Sequence, residues 1–387
     1  MTYQRIRSIQ LDIKKAEDAV LGLFRTSLLV VLSCAVMSVQ AANFNQPKAV
    51  ASTDVEPFFN VSINEPTKLI QKYVLVDTYS KEARTTEIDA DSGNIVWQWP
   101  IPKNLKAQKK ICHGATVQYM SDDSFNVLVP HKGVINVKRS GKNKMIVKDK
   151  EIDHAAHQYD DKNIVFARGF VNKSDHSITQ KQFTSSFNSK EFKWKPVDTF
   201  PTKEGFTVKQ ERSCGAPMRW AREREQDWAH ANYVEKLSNG NLLISLRNFS
   251  TFLELNPETS EVVYKNNTIP GVHQPTPYKG GYLAADRACG KESIHWIKSD
   301  GTHVKLFTGE FLTTRGIEHL AENHFLITSA TNITEISLDG KIHYRATIPK
   351  ANPVHEKSVT SQGDLPPWGF CAPTVLYHAV PTSVRNK

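Results

Sequence analysis

Apolar positions along this chain fall in short runs, alternating or continuous, and each run is cut by turn residues. Asn94 to Trp99 alternates as a strand behind the tight turn Asp-Ala-Asp-Ser-Gly at 89–93. In that turn Asp and Ser supply side-chain hydrogen bonds and Gly supplies positive φ. Tyr73 to Asp77 and Arg84 to Ile88 read as strands before it. The clearest stretch runs from Asp227 to Lys265 and reads as four short strands joined by turn residues. Similar units follow the same rhythm: Thr116–Met120, Phe125–Val129 and Gly133–Val137; Asn163–Ala167; Gly281–Ala285, Ser293–Lys298 and His303–Phe307; His324–Ser329, Ile333–Ser337 and Lys341–Ala346.

A polar residue leads each unit: His113, His154, His230, His273 and Arg315, spaced 41, 76, 43 and 42 residues apart. A period near 42 with four strands per unit predicts an all-β fold, a β-propeller of four-stranded antiparallel blades. The 76-residue interval is one repeat plus an insertion, predicted at about 172–227. The first unit, 73–99, has no leader, and Pro373 to Val380 is a lone strand. Giving that strand to the first unit closes a six-bladed ring and ties the chain ends together. Counts of five and seven blades remain open on spacing alone. The expected organisation is an irregular lead-in at 42–72, broken by Pro47, Pro57 and Pro66, a propeller over 73–380, and a tail at 381–387.

Composition adds a destination. Arg25 precedes the apolar run Leu28 to Met37, with Val39 and Ala41 ahead of Ala42, which reads as a signal peptide over 1–41 and a periplasmic or secreted protein. The run is too short to span a bilayer, so no stable membrane span is expected; an uncleaved anchor is the other reading. Without residues 1–41 the charge falls from +9 to about +7, with no basic stripe interleaved with aromatics, so nucleic acid is not an expected partner. Cys112, Cys214, Cys289 and Cys371 remain, an even count compatible with disulfides in an exported chain, and three pairings stay open.

Equivalent positions in a propeller converge on one mouth of the central channel, so the five leaders should share a site. Arg168, Arg247 and Arg287 form a second layer near the ends of second strands. Imidazoles in this number suit a metal or an anion. The arginines repel a cation and fork onto oxyanions, which favours the anion, with no metal and no cofactor expected. No phosphate-cradling G-x-x-x-x-G-K-[ST] loop, G-x-S-x-G elbow or H-E-x-x-H helix occurs. His157, His176, His295, His303, His319, His324, His343, His355 and His378 fit no ring and read as structural or surface residues.

Asp-Trp-Ala-His-Ala-Asn at 227–232, Ser-Asn-Gly-Asn-Leu-Leu-Ile-Ser-Leu-Arg at 238–247, Asp-Ser-Gly-Asn-Ile-Val-Trp at 91–97 and His-Gln-Pro-Thr-Pro-Tyr-Lys-Gly-Gly-Tyr-Leu at 273–283 resemble the arylsulfotransferase family of bacterial periplasmic enzymes. The likeness covers roughly residues 70–345 and is most specific over 227–265. It implies a six-bladed propeller that moves a sulfuryl group from a small aromatic sulfate donor to a phenolic acceptor through a sulfated histidine, without a nucleotide sulfate. By this resemblance His273 matches the nucleophile, His230 and Asn232 the His-x-Asn pair, Arg247 the arginine on the sulfate oxygens, and His154 an earlier-blade histidine. His113, Arg315, Arg287 and Arg168 complete the expected substrate site. Trp228, Tyr278 and Trp368 are candidates to stack on an aryl ring. At about 346 residues after cleavage the chain is expected to lack the family's separate N-terminal β-domain, and it departs from the family in Gln274-Pro275 after His273 and in the insertion. Two other readings use the same residues: a propeller polysaccharide lyase acting on a uronate glycan, and a non-catalytic envelope propeller. Oligomeric state is open.

Overall fold

Short strands with apolar side chains on both faces need cover on both faces, and stacking sheets around a ring provides it. The computed structural model describes residues 58–77, 84–105, 116–168, 177–182, 192–196, 229, 231–286, 292–309, 314–321, 323–329, 332–347 and 378–385. The signal peptide and all four cysteines of the expected mature chain lie outside these residues. Strand β1 (Asn60–Asn64) precedes the first blade, which holds β2 (Ile70–Asp77), β3 (Arg84–Asp89) and β4 (Ile95–Pro100). Blade two is β5 (Val117–Tyr119), β6 (Ser124–Val129), β7 (Gly133–Lys138) and β8 (Asn143–Lys148). Blade three is β9 (Ile152–Gln158), β10 (Asn163–Arg168), β11 (Ser177–Gln182) and β12 (Phe192–Trp194). Blade four is β13 (Ala231–Lys236), β14 (Leu242–Leu246), β15 (Thr251–Leu255) and β16 (Val262–Asn266). Blade five is β17 (Thr276–Tyr278), β18 (Gly281–Ala285), β19 (Glu292–Ile297) and β20 (His303–Gly309). Blade six is β21 (Gly316–Ala321), β22 (His324–Thr328), β23 (Asn332–Ser337) and β24 (Ile342–Thr347). The last strand, β25 (Val380–Val384), pairs antiparallel with β2 and completes blade one.

Strand periodicity explains how the blades pack. Tyr73 and Leu75 point into a cluster with Leu326 and Tyr344 of blade six. Val74 and Val76, their neighbours on β2, point the other way against Phe125 and Val127 of blade two. Ile164 and Phe166 face blade two, while Val165 and Ala167 face blade four. A side-chain period of two sends successive residues to opposite faces, so a strand buried on both reads as a continuous apolar run. Among the described residues such clusters number six, one between each pair of neighbouring blades. An open row of six sheets would have five. The ring is therefore closed, as the repeat predicted.

Three boundaries move. The closing strand lies at Val380–Val384, not Pro373–Val380, so most of the expected tail is the strand that closes the ring. Its register follows from pairing Val380 with Val74 and Val384 with Ile70. Pro381 is accommodated because the innermost strand of a blade has one edge facing the channel, where a missing N–H costs no ladder bond. The lead-in is not wholly irregular: Asn60–Asn64, between two prolines, adds a fifth strand to the outer edge of blade six. The expected insertion at 172–227 is too wide, because β11 and β12 complete blade three within it. Their polar composition, typical of outer strands, hid them. The turn at 89–93 forms as read, with Gly93 at φ 73° and Ser92 donating to Asp89 Oδ1 from both its N–H, at 2.9 Å, and its hydroxyl, at 2.8 Å. A Cβ on Gly93 would come within 2.5 Å of the Phe59 carbonyl, so β1 docks there only over glycine.

A buried carboxylate locks the seam between blades six and one. Glu335 of β23 is fully buried and accepts from the N–H groups of Leu69 and Ile70 at 2.8 and 2.9 Å and from His324 Nδ1 at 2.7 Å. The His324 ring lies tilted against that of His343, centroids 4.5 Å apart, and His343 Nδ1 and Nε2 bond Thr67 Oγ1 at 2.7 Å and Ser337 Oγ at 2.8 Å. Glu335→Ala would leave two buried N–H groups without acceptors, at about 1–3 kcal/mol each. We expect it to lower stability by about 3 kcal/mol or more, read as a lower urea midpoint at unchanged m-value. A loss below about 1 kcal/mol would mean the seam does not depend on this residue.

Candidate functional site

The start of each innermost strand and the end of the next strand lie at the same end of a blade, because the two run antiparallel. Ala231 pairs with Leu246, which sets Arg247 beside the start of β13. Arg247 opens a 3-10 turn, Arg247–Phe249, and Ser250 ends it in the left-handed region at φ 48°, its N–H bonded to the Arg247 carbonyl at 3.0 Å. The Ser250 hydroxyl accepts from Gly271 N–H at 3.1 Å. Gly271, at φ 60°, presents its carbonyl to His273 Nδ1 at 2.9 Å. The Arg247 turn thus holds the backbone that orients the His273 ring.

The other ring nitrogen faces an arginine. His273 Nε2 lies 2.9 Å from Arg315 Nη1. Guanidinium only donates, so Nε2 accepts, the ring proton sits on Nδ1, and Nδ1–H donates to Gly271. His273 is therefore a neutral imidazole with its Nε2 lone pair aimed at a cation that binds oxyanions. His273, Arg315 and Arg247 are 6, 8 and 7 % exposed. Asn232 sits at a break in the β13–β14 register between Ala231 and Tyr233, a bulge that turns its side chain inward. Its Oδ1 accepts from the Ser245 hydroxyl and its Nδ2 reaches the Val272 carbonyl at 3.5 Å. Asn232 accordingly supports the segment that carries His273.

His154 also sits on a bulge, where β10 pairs Phe166 with Ala156 but Ala167 with Asp153. Its φ of 51° is a left-handed value uncommon for histidine, and its Nδ1 lies 2.9 Å from Asp153 Oδ1. Arg168 Nε lies 2.9 Å from Asp149 Oδ2, a local ion pair. The structure thus brings His273, Arg315, Asn232 and the Arg247 turn together, and gives His154 and Arg168 carboxylate partners within or beside blade three. His113, His230 and Arg287 lie outside the described residues, as do Trp228 and Trp368. Tyr278 is 4 % exposed and packs edge-on against Trp296, His319 and Phe325, so it is a core residue between blades five and six and not a stacking platform.

Beneath the leaders lies a polar channel. Glu318 of blade six interacts with Gln274 of blade five, His378 beside blade one, His157 of blade three and Glu235 of blade four. Only the axis brings five blades within reach of one carboxylate. His157, Tyr233, Thr276 and Glu318 each stand three residues after a leader, so this ring was visible in the sequence as a second in-phase polar position. Ser245, Ser250 and Gly271, which orient the site through the backbone, carry no such signal. Burial lowers the His157 pKa to about 4 although Glu318 opposes the shift, and its Nδ1 lies 3.1 Å from Lys236 N–H, which donates to it. Burial, with Glu318 nearby, raises that of Glu235, which accepts from Tyr233 OH at 2.6 Å. Among the described residues no group of three or more His, Cys, Asp or Glu is arranged to hold a metal, and no helix is long and apolar enough to cross a membrane.

A family profile described as Arylsulfotransferase (ASST) matches residues 67–269. No curated protein matches the chain. Its fold is similar to that of a protein of unknown function from Bacteroides caccae, 14% identical with a TM-score of 0.50 over 71% of this chain and 93% of the other. A catalytically inactive virginiamycin B lyase from Staphylococcus aureus, with quinupristin, is 12% identical with a TM-score of 0.43 over 76% and 90%. An identity of 14% with the Bacteroides caccae protein shows the fold alone.

The His157 shift has a signed consequence. A histidine whose folded pKa is depressed takes up its proton more readily when unfolded, so stability should fall as pH drops from about 6.5 to about 4, by about 3 kcal/mol at most. His157→Asn keeps an acceptor for Lys236 N–H and cannot titrate. Its unfolding midpoint should be flatter than wild type across that window, and an unchanged slope would exclude His157 as the source.

Proposed function

The chain belongs to the arylsulfotransferase family, and from that premise we propose that it transfers a sulfuryl group from an aryl sulfate to a phenolic acceptor through sulfated His273. The observation that carries this reading is the His273 ring, held at Nδ1 by the Gly271 carbonyl with Nε2 turned toward Arg315. In the first half-reaction the Nε2 lone pair forms a bond to sulfur as the sulfur–oxygen bond to the aryl group breaks, and the phenolate leaves and takes a proton. The ring keeps its Nδ1 proton, so in the adduct a cationic imidazolium ring carries the anionic sulfuryl group, and the Gly271 carbonyl stabilises the ring charge. Sulfate oxygens take the place of Nε2 on the Arg315 guanidinium, and Arg247 meets charge that develops on the same group. In the second half-reaction the acceptor oxygen attacks sulfur and Nε2 leaves with its lone pair restored. His230 and His154 are the candidates to move the phenolic protons. An exported location, read from residues 1–41, belongs to the same proposal.

With para-nitrophenyl sulfate as donor, nitrophenolate should be released in quantity only when a phenol is added, and the sulfated phenol should appear in equal amount. His273→Ala should lose about a thousandfold or more in kcat, and Arg315→Lys about a hundredfold. Brief mixing with donor alone should leave a sulfuryl adduct on the peptide containing His273. Equal turnover without acceptor, or full activity in His273→Ala, would overturn the proposal.

A further inference from the structure

Sulfuryl transfer uses His273 and the arginines but assigns nothing to the carboxylate on the axis below them. Glu318 Oε1 accepts from Gln274 Nε2 at 2.9 Å and from His378 Nε2 at 2.6 Å. Gln274 follows His273 in the chain, and His378 stands two residues before the closing strand. Gly316 lets both close in, because a Cβ there would lie 2.5 Å from His378 Cδ2 and 2.8 Å from Gln274 Oε1. Thr276 Oγ1 donates to the Ile317 carbonyl at 2.6 Å. Blades five and six are therefore stitched at three successive points: His273 to Arg315, Gln274 to Glu318 and Thr276 to Ile317.

The closing segment touches both partners of the His273–Arg315 pair at one remove. His378 grips Glu318. Ala379 N–H donates to Thr328 Oγ1 at 3.0 Å, and the carbonyl of the same Thr328 accepts from Arg315 N–H at 2.7 Å. A carboxylate set near a second one, Glu235, carries an electrostatic cost as the acceptor of two hydrogen bonds. What it supplies is a charge-assisted, directional grip on two elements that the chain separates by about a hundred residues.

We propose that Glu318 is a positioning residue: through Gln274 it sets the His273 ring against Arg315, and through His378 it makes that setting depend on docking of the C-terminal segment. The kinetic part rests on the sulfuryl-transfer reading, while the ring geometry does not.

The test is a double-mutant cycle on the full chain with Glu318→Met, Gln274→Met and the double variant, plus His378→Asn. Each single variant should lower kcat about tenfold with KM within about twofold, as expected for a misplaced nucleophile. The double variant should be no slower than the slower single, because both changes cut one link. Ring nitrogen-15 shifts of His273 should report a protonated Nδ1 and bare Nε2 in wild type, and averaging toward the other tautomer in Glu318→Met and His378→Asn. Multiplying losses in the double variant, or wild-type ring shifts and kcat in Glu318→Met, would overturn the proposal. If Glu318→Met does not fold, Gln274→Met and His378→Asn decide by the same readouts. If wild type transfers no sulfuryl group, the functional reading fails and the ring shifts alone decide the positioning role.

Discussion

A four-stranded sheet with apolar side chains on both faces is unstable beside water on either side, and this constraint orders the molecule. Every blade must have two neighbours, so a row of blades must close. At the seam of blades six and one the chain closes the ring by three independent means. β25 pairs with β2, Glu335 grips the backbone at Leu69 and Ile70, and β1 runs along the outer edge of blade six with Phe59 in the seam cluster. The Tyr73 and Tyr344 hydroxyls meet across it at 3.1 Å. The chain also crosses this seam directly, from β1 on the edge of blade six to β2 of blade one.

Closure also builds the site. Among the described residues, no single blade holds the proposed constellation. His273 is oriented by the Gly271 carbonyl in its own leader segment, but the Gly271 N–H is held by Ser250 of blade four, and the His273 Nε2 meets Arg315 of blade six. Hydrogen bonds of this kind cross between sheets, so their geometry is only as good as the packing of the sheets. A rigid, closely packed ring is a suitable carrier for the proposed nucleophile, which must be held in one tautomer and one direction.

The channel separates two electrostatic environments. At the mouth a neutral imidazole and guanidinium groups favour an anion. Lower down, Glu318 lies within electrostatic reach of Glu235 and of a His157 that burial keeps neutral. Arginine at the mouth suits the sulfuryl transfer proposed for this member of the arylsulfotransferase family, whereas the carboxylates below suit bracing from within.

The sequence by itself determined the all-β class, the four-strand repeat and the ring. Those depend on local alternation and on a period near 42 residues, both written in one dimension. It also placed His273 and Arg315 at equivalent positions of neighbouring blades, and the ring brings these two into contact. The positions of β25 and β1 were decided by tertiary pairing, since Val-Pro-Thr-Ser-Val and Asn-Val-Ser-Ile-Asn have weak patterns and become strands only against β2 and β24. The roles of Asn232, Tyr278 and His378 were likewise decided in three dimensions. A bulge turned Asn232 onto Ser245 and Val272, packing took Tyr278 into the core, and closure carried His378 to Glu318. A side chain's type is local information. Its partner, when it lies in another blade, exists only once the ring has closed.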